Sequence, residues 1–310
     1  MSVKAGLFKA LYYSPIVRKM GRAILLPGRH FVMLPTFICN YHCPYCIYQK
    51  NRYGALYLPN EHSGKEWAEV VNRFKSAVIS VSGGEPFLWA GIVDFFQLIS
   101  RKHYLSVTSN LSWDVDEYLP SIKSCRARFT LYASFHSSMT GFDPFAERVE
   151  ALVCQGVRVI VSIVIHPSII GKLEYFKKLL ARINVPLEFA SYIDPAYQYS
   201  EKEKSIVKQY IEHPYRQKQM GFDTSPRLKT CQAGINHYFS VPNGDVFACS
   251  GGFYFATSSI HEAYRSRKAE FYLGNLFDGT FKPRASKMLC KYPCSEGCDQ
   301  AWAKPVFIGE

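Results

Sequence analysis

The sequence lacks any hydrophobic run of the roughly eighteen residues that a membrane-spanning helix requires. Its N-terminus also lacks the apolar core and the small-residue cleavage site of a secretory signal peptide. We therefore expect a cytoplasmic protein. With 48% hydrophobic and 20% charged residues, the composition is that of an ordinary globular protein, and 310 residues are enough to bury a sizeable core.

The sequence has few acidic residues: it contains 25 Asp and Glu but 37 Lys and Arg, which gives a formal net charge of +12. This excess favours anionic partners. The basic residues are spread along the chain instead of forming a dense stripe, so nucleic-acid binding is not expected. Residues 1–30 mix basic and apolar side chains in an amphipathic pattern that could contact an anionic membrane surface. Pro15 and Gly21 interrupt any single helix there, which favours packing against the rest of the protein.

The ten cysteines fall into clusters, a pattern typical of metal sites in a reducing compartment. The first cluster is the run Cys39-Asn40-Tyr41-His42-Cys43-Pro44-Tyr45-Cys46. Iron–sulfur clusters normally take four cysteines, so a tight group of three indicates one iron left open to a non-protein ligand. The alternative is a structural zinc with His42 as the fourth ligand.

The spacing of these three cysteines, with Tyr45 directly before the last, resembles the signature loop of the radical S-adenosylmethionine (SAM) enzymes. The resemblance implies that Cys39, Cys43 and Cys46 hold a catalytic [4Fe-4S] cluster. It also implies that SAM chelates the open iron and is cleaved reductively to a 5'-deoxyadenosyl radical. The electron would come from an external reductant such as flavodoxin or ferredoxin.

From residue 31 onward, short β-branched or aromatic runs alternate with amphipathic ones. The strands are predicted at 31–37, 77–81, 104–108, 128–135, 157–165 and 186–191. The helices are predicted at 63–75, 91–101, 114–123, 143–155, 169–183 and 200–213. Six β/α units predict a parallel sheet with right-handed crossovers. The resemblance implies that residues 31–225 form a partial (β/α)6 TIM barrel after the basic extension 1–30.

Chemistry in such barrels gathers at the carboxyl ends of the strands. The second predicted strand is followed there by Ser82-Gly83-Gly84-Glu85-Pro86. The two glycines let the backbone approach a ligand closely, and the carboxylate can accept hydrogen bonds from an ammonium group. The run matches the Gly-Gly-Glu motif that holds the SAM amino group in the family. The alternative is a tight strand-to-helix turn.

Polar residues also end the later strands. The resemblance implies contacts from Asn110 and Ser134 to the ribose or the methionine carboxylate of SAM. For both His136 and His166 three roles stay open: a ligand, an acid/base group, or a structural histidine. At the end of the sixth strand, Tyr192 or Asp194 could reach a substrate.

A second group of cysteines lies in the last eighty or so residues. The pair Asn243-Gly244 between apolar runs predicts a β-hairpin with one cysteine on either side. The pattern resembles the SPASM and twitch auxiliary-cluster domains, which implies one auxiliary [4Fe-4S] cluster in a domain spanning 226–310. The candidate ligands are Cys231, Cys249 and Cys298, with Cys290 and Cys294 competing for the fourth place. The alternative is a structural zinc held by four cysteines.

The substrate is less defined than the cofactors. The single-cluster layout is closest to that of the 2-deoxy-scyllo-inosamine dehydrogenase-like enzymes, which favours oxidation of a small molecule such as a sugar, cyclitol or nucleotide. The alternative is epimerisation or crosslinking of a ribosomally made peptide. Thirty N-terminal residues are too few for a separate leader-binding domain, so a small molecule is the expected substrate. A non-enzymatic iron–sulfur or zinc protein is disfavoured, because it has no use for an open iron beside a Gly-Gly-Glu run.

Overall fold

The structure is a computed structural model that describes residues 29–46, 62–192, 194, 197–211, 217, 220–222, 229–250 and 271–290. Residues 1–28 of the basic N-terminal extension, together with Cys294 and Cys298, lie outside the described residues. No helix in the described part of the chain is long and apolar enough to cross a membrane.

Six parallel strands form the body of the fold, and each pairs with the next one along the chain. They are β1 (His30–Thr36), β2 (Val78–Gly83), β3 (Tyr104–Ser109), β4 (Arg128–Phe135), β5 (Val159–Val164) and β6 (Leu187–Ala190). Sequential parallel order needs a crossover after every strand, and a helix supplies each one. The predicted partial (β/α)6 barrel is confirmed.

Two of the helices begin at capping boxes. Ser63 and Ser200 each form a reciprocal capping box with a glutamate three residues later. The stretch predicted as one helix at 169–183 is divided into a 3-10 segment at Pro167–Lys172 and a following α-helix. The helices are α1 (Gly64–Asn72), α2 (Ile92–Leu98), α3 (Val115–Ser124), α4 (Phe142–Cys154), α5 (Leu173–Arg182) and α6 (Glu201–Lys208).

The two faces of the barrel sheet differ in chemistry. Outward-facing residues such as Ile79, Val107 and Leu131 are fully buried in the core beneath the helices. The residues that alternate with them on β2, β3 and β4 carry hydroxyl groups and stay partly exposed: Ser80, Ser82, Ser106, Thr108 and Thr130. A closed TIM barrel fills this space with branched apolar side chains. On these three strands the inner wall is instead polar and partly exposed.

The C-terminal region continues the same sheet. Strand β8 (His237–Ser240) pairs in parallel with β1, and β9 (Asp245–Phe247) and β10 (Tyr272–Asn275) follow as antiparallel neighbours. Two further strands, β7 (Lys229–Cys231) and β11 (Met288–Cys290), form a separate two-stranded sheet. The domain boundary at 225 and 226 stays a prediction, and the main sheet is continuous across it.

A buried pair of histidines ties the added strands to the barrel. His30 opens β1, one residue before the predicted start of the barrel, and faces His237 with 3.1 Å between their Nδ1 atoms. His30 Nε2 lies 2.7 Å from Ser80 Oγ, which lies 2.8 Å from Ser106 Oγ. This chain of polar contacts links β8, β1, β2 and β3 inside the barrel.

Candidate functional site

The loop with three cysteines emerges from the carboxyl end of β1. Its entry is fixed by the Ile38 backbone N–H, which donates to Thr36 Oγ1 at 3.0 Å. The turn between the last two cysteines is closed by a hydrogen bond from the Cys46 N–H to the Cys43 carbonyl oxygen at 3.0 Å. Cys43 is buried, and Cys39 and Cys46 are half-buried. The three thiols therefore lie at the edge of the sheet where barrel chemistry is expected.

The two glycines after β2 lie directly against the start of this loop. The N–H groups of Gly84 and Glu85 donate to the carbonyl oxygens of Thr36 and Ile38, at 3.0 and 2.8 Å. A Cβ atom at residue 84 would lie 2.0 Å from the Ile38 oxygen, and one at residue 83 would lie 2.4 Å from the Thr36 oxygen. Gly83 also has a φ of 119°, which side-chain-bearing residues rarely adopt. The glycines let the two loops pack backbone to backbone.

The Glu85 carboxylate holds the same turn to the end of β3. It is buried, and it accepts hydrogen bonds from Ser109 Oγ at 2.9 Å and from the backbone N–H groups of Asn110 at 2.8 Å and Phe87 at 3.2 Å. Burial raises the pKa of Glu85 to about 7, and the three hydrogen bonds oppose that rise. The Glu85 side chain therefore connects the Gly-Gly-Glu turn to the end of β3, a structural role that was not predicted from the sequence.

Asn110 lies between the end of β3 and the cysteine loop. Its side-chain amide donates to Asn40 Oδ1 at 3.2 Å and lies 3.9 Å from Cys39 Sγ. Asn40 in turn donates to Ser112 Oγ at 2.8 Å. The backbone N–H of Tyr41 also donates to Cys39 Sγ, at 3.4 Å. Two N–H donors are thus aimed at one sulfur, an arrangement that stabilises a thiolate bound to metal.

The thiols of the loop influence one another. Burial raises the pKa of Cys39 to about 11, and the nearby Glu85, Cys46 and Cys43 raise it further. Burial also raises the pKa of Cys43, and Cys46 adds to the effect. Such thiols stay protonated until a metal cation reverses the electrostatic balance.

Tyr45 reaches the opposite side of the barrel mouth. Its hydroxyl lies 2.9 Å from His136 Nδ1, beyond the end of β4. Its ring also lies 5.7 Å from the ring of His166 and 5.1 Å from that of Tyr192, which follow β5 and β6. The mouth is therefore bordered by the cysteine loop and the Gly-Gly-Glu turn on one side and by an aromatic group on the other.

A family model described as the radical SAM superfamily matches residues 33–167. This part of the chain belongs to the radical SAM superfamily. The match includes the cysteine loop, the Gly-Gly-Glu turn and β2 to β5. No curated protein matches the chain by sequence.

The fold of the radical SAM domain and its C-terminal region is similar to that of two solved proteins. Native anSMEcpe with bound AdoMet and the Cp18Cys peptide aligns with a TM-score of 0.54 at 15% identity, over 81% of this chain and 78% of that one. SuiB from Streptococcus suis, bound to the precursor peptide SuiA, aligns with a TM-score of 0.54 at 13% identity, over 85% of this chain and 69% of that one. At such identities the likeness establishes the fold alone.

The radical SAM domain fits the cofactors that its family uses, a [4Fe-4S] cluster and SAM, which confirms that part of the cofactor prediction. The donor set is suitable, because three thiols share one loop and Cys39 Sγ has N–H donors around it. No group of three or more His, Cys, Asp or Glu side chains in the described residues is gathered as a single-ion site. Cysteines that bind separate irons of a cube are further apart than the ligands of one ion.

The structure brings most of the predicted SAM-contacting residues together. Gly83, Gly84, Glu85 and Asn110 all lie against the cysteine loop. Ser134 is buried on β4, opposite Ser162 on β5, and no described contact joins it to the loop. The individual roles of these residues toward SAM stay predictions.

The second cysteine region forms the predicted hairpin, since β8 and β9 are antiparallel and joined through Gly244 with a φ of 85°. Cys231 precedes the hairpin, Cys249 follows it, and both are buried. Cys231 Sγ accepts the Ala233 N–H at 3.4 Å, which repeats the local arrangement at Cys39.

The segments that carry these cysteines converge. A Cβ atom at Gly234 would lie 3.1 Å from the Cβ of Ala248, so the chain after Cys231 touches the chain before Cys249. The backbone of β11 pairs antiparallel with β7, so that Met288 lies opposite Cys231 and Cys290 lies opposite Lys229. Cys294 and Cys298 fall outside the described residues, so the choice between Cys290 and Cys294 stays open.

Three partners in the site were not predicted from sequence. Ser109 binds Glu85, Asn40 binds Asn110, and Ser112 binds Asn40. Asn40 lies inside the cysteine motif, and the two serines flank a residue that was predicted to bind SAM. Position next to a motif was therefore the available signal for all three.

Proposed function

We propose that this protein is a radical SAM enzyme that modifies a peptide. Cys39, Cys43 and Cys46 hold the four-iron cluster, and the Gly-Gly-Glu turn and Asn110 orient SAM beside it. When bound, these cofactors supply a 5'-deoxyadenosyl radical that abstracts a hydrogen atom. The observation that carries the proposal is the packing of the cysteine loop on the Gly83-Gly84 backbone, above a polar and partly exposed barrel interior.

A peptide is preferred to the small molecule that the sequence favoured. The solved structures with the same fold include anSMEcpe with a bound peptide and SuiB bound to its precursor peptide. A small polyol is the second candidate, because the inner hydroxyls of β2, β3 and β4 would also bind its hydroxyl groups. Oxidation, epimerisation and crosslinking are all compatible with hydrogen abstraction.

The experiment begins with anaerobic reconstitution and incubation with SAM and dithionite. We expect 5'-deoxyadenosine from the wild type, none from Cys43→Ala, and wild-type amounts from Cys154→Ser, because Cys154 is an exposed thiol away from the loop. The substrate class is tested with deuterated short peptides and deuterated myo-inositol. Deuterium transfer into 5'-deoxyadenosine from a peptide supports the proposal, whereas transfer from the inositol alone supports the second candidate.

We also propose that the C-terminal region holds one auxiliary [4Fe-4S] cluster through Cys231, Cys249, Cys298 and either Cys290 or Cys294. The shared N–H to sulfur contact at Cys231 and the convergence of the chain near Gly234 support it. Two clusters require about eight irons. Cys249→Ser should reduce the count to about four while the N-terminal cluster still binds SAM. Bound zinc, or an unchanged iron count, would contradict the proposal.

A further inference from the structure

His166 presents a hydrogen-bond donor at the barrel mouth, and its contacts define which ring nitrogen carries the proton. It caps the 3-10 segment after β5, and its Nδ1 accepts the Ser168 backbone N–H at 3.2 Å and lies 2.8 Å from Ser168 Oγ. A backbone N–H can only donate, so Nδ1 carries no proton. The proton of the neutral ring must then be on Nε2. Within the described residues, Nε2 has no hydrogen-bond partner, and the ring is half-buried.

Tyr192 presents an acceptor beside this donor. The two rings are 5.1 Å apart and nearly perpendicular, at 85°. The Tyr192 hydroxyl donates its proton to Asp194 Oδ2 at 3.0 Å, so the phenolic oxygen keeps its lone pairs for an incoming N–H. Burial, together with the hydrogen bond to Asp194, raises the pKa of Tyr192 to about 12, and burial lowers the pKa of His166. Both side chains are therefore neutral at physiological pH.

We propose that His166 and Tyr192 bind the backbone of one extended residue of the peptide substrate, His166 through its Nε2–H to the carbonyl oxygen and Tyr192 through its phenolic oxygen to the N–H of that same residue. This inference rests on the proposed function. A neutral donor beside a neutral acceptor matches an extended residue, whose own N–H and C=O point to the same side of the strand. A phosphate or a carboxylate offers only acceptors and would leave the Tyr192 oxygen without a donor.

The position of the pair separates it from the predicted SAM contacts. Gly84, Glu85 and Asn110 lie at the carboxyl ends of β2 and β3, whereas His166 and Tyr192 follow β5 and β6. Tyr45 lies between the two groups and packs on both rings of the pair. A peptide bound at β5 and β6 would therefore face the cysteine loop across the mouth.

His166 therefore binds the substrate and does not act as a general base. A base needs an unprotonated nitrogen directed at the substrate, but the bare nitrogen of this ring is held by Ser168. Loss of His166 should therefore raise the KM for the peptide and leave kcat nearly unchanged.

One variant of His166 and one of Tyr192 remove the two proposed contacts separately. Asparagine keeps an oxygen for capping the Ser168 N–H but does not reach as far as Nε2, so His166→Asn retains the local fold and loses the donor. Tyr192→Phe keeps the ring and loses the acceptor. We expect each change to weaken peptide binding about three- to tenfold, the usual effect of one neutral hydrogen bond. The affinity for SAM, measured by calorimetry on the reconstituted enzyme, should change less than about twofold.

Binding is measured by fluorescence anisotropy with labelled short peptides that carry a central Ser, Thr or Cys, in the presence of SAM. The best peptide is then made with single amide bonds replaced by esters, which keep the carbonyl and lose the N–H. The ester that replaces the N–H of the bound residue should weaken binding to the wild type and to His166→Asn, but not to Tyr192→Phe. If only Tyr192→Phe binds the ester and the amide peptide equally well, Tyr192 is the residue that contacts the peptide N–H.

Peptide binding by His166 and Tyr192 and formation of 5'-deoxyadenosine can fail independently. A wild type that binds no peptide, variants that bind peptides as tightly as the wild type, or variants that weaken SAM binding instead would each overturn the inference. A wild type that binds peptides but forms no 5'-deoxyadenosine would overturn the proposed function and leave the binding assignment standing. An unchanged melting temperature of the variants shows that the fold is retained.

Discussion

Gly84 is the residue whose backbone most directly supports the cysteine loop. Gly84→Ala would place a Cβ atom 2.0 Å from the Ile38 carbonyl oxygen, and both atoms belong to rigid backbone. We expect the loop to be displaced and the N-terminal cluster to be lost, so that iron content falls by about four per chain. Gly171→Ala is the control, since a Cβ atom there meets nothing within 4 Å. Normal iron loading in Gly84→Ala would show that the close packing is not required.

Glu85 accepts three hydrogen bonds from two elements, and its neutral amide analogue cannot replace all of them. In Glu85→Gln the amide NH2 would face the Ser109 hydroxyl or a backbone N–H that now donates to the carboxylate. An unsatisfied buried donor costs about 1–3 kcal/mol. We expect a lower free energy of unfolding by about that amount in urea titrations, and weaker SAM binding by calorimetry. Ser109→Ala removes only one of the three bonds and should have the smaller effect.

Single residues of the site can be predicted from the sequence where a motif defines them, and their roles stay predictions. The cysteines, the two glycines and Glu85 have fixed spacing along the chain, so the sequence alone predicts them. Ser109 and Asn40 lie beside motif or predicted site residues in the sequence, but the partners that they bind are brought to them only by folding. The same holds for Tyr45, whose place in the motif was evident but whose contacts across the mouth were not.

Among the elements, the start of β3 contains a buried histidine that makes the protein sensitive to acid. His103 precedes β3, is fully buried, and neither ring nitrogen has a hydrogen-bond partner in the described part of the chain. Burial lowers the pKa of His103 from 6.5 to about 4. In the unfolded chain the ring binds a proton near pH 6.5, so the folded state loses stability as the pH falls from 6.5 toward 4.

The variant His103→Leu tests this effect. The unfolding free energy of the variant relative to the wild type should rise by about 1.4 kcal/mol for each pH unit between pH 6.5 and 4. Because both proteins carry the same clusters, acid effects on the clusters cancel in the difference. At pH 7 the variant should be at least as stable as the wild type, since it removes two unpartnered buried nitrogens. A difference that does not vary with pH would contradict the assignment.

The strands and helices were largely predictable because their signals are local. Alternation of β-branched runs with amphipathic stretches located all six barrel strands, and Asn243-Gly244 located the hairpin. The parallel pairing of β8 with β1 was not predicted, because it joins His237 to His30 over 207 positions. Parallel pairing between distant segments leaves no periodic signal in either one.

At the scale of the whole molecule, the C-terminal region is part of the barrel sheet and not only a carrier of cysteines. A chain ending at residue 225 would lose β8 to β10 and expose the edge of β1, the strand that leads into the cysteine loop. Exposed strand edges promote aggregation. We expect the truncated protein to be poorly soluble in sedimentation experiments and to load little iron.

The double variant Cys231→Ser, Cys249→Ser is the control for this truncation. It removes the proposed auxiliary ligands but keeps β8 against β1, so it should remain soluble and load the N-terminal cluster. If the truncated chain were as soluble as the double variant, the pairing of β8 with β1 would have no role in stability.

The β1–β8 pairing also has a consequence for the order of events during synthesis. The three cysteines leave the ribosome early, but the strand that covers β1 follows about two hundred residues later. Contacts between such distant segments form slowly, because a long loop must close first. Until β8 is synthesised, the β1 edge of the nascent barrel therefore has no neighbouring strand on that side. We expect the first cluster to be inserted after β8 has emerged from the ribosome, when β1 has neighbours on both sides.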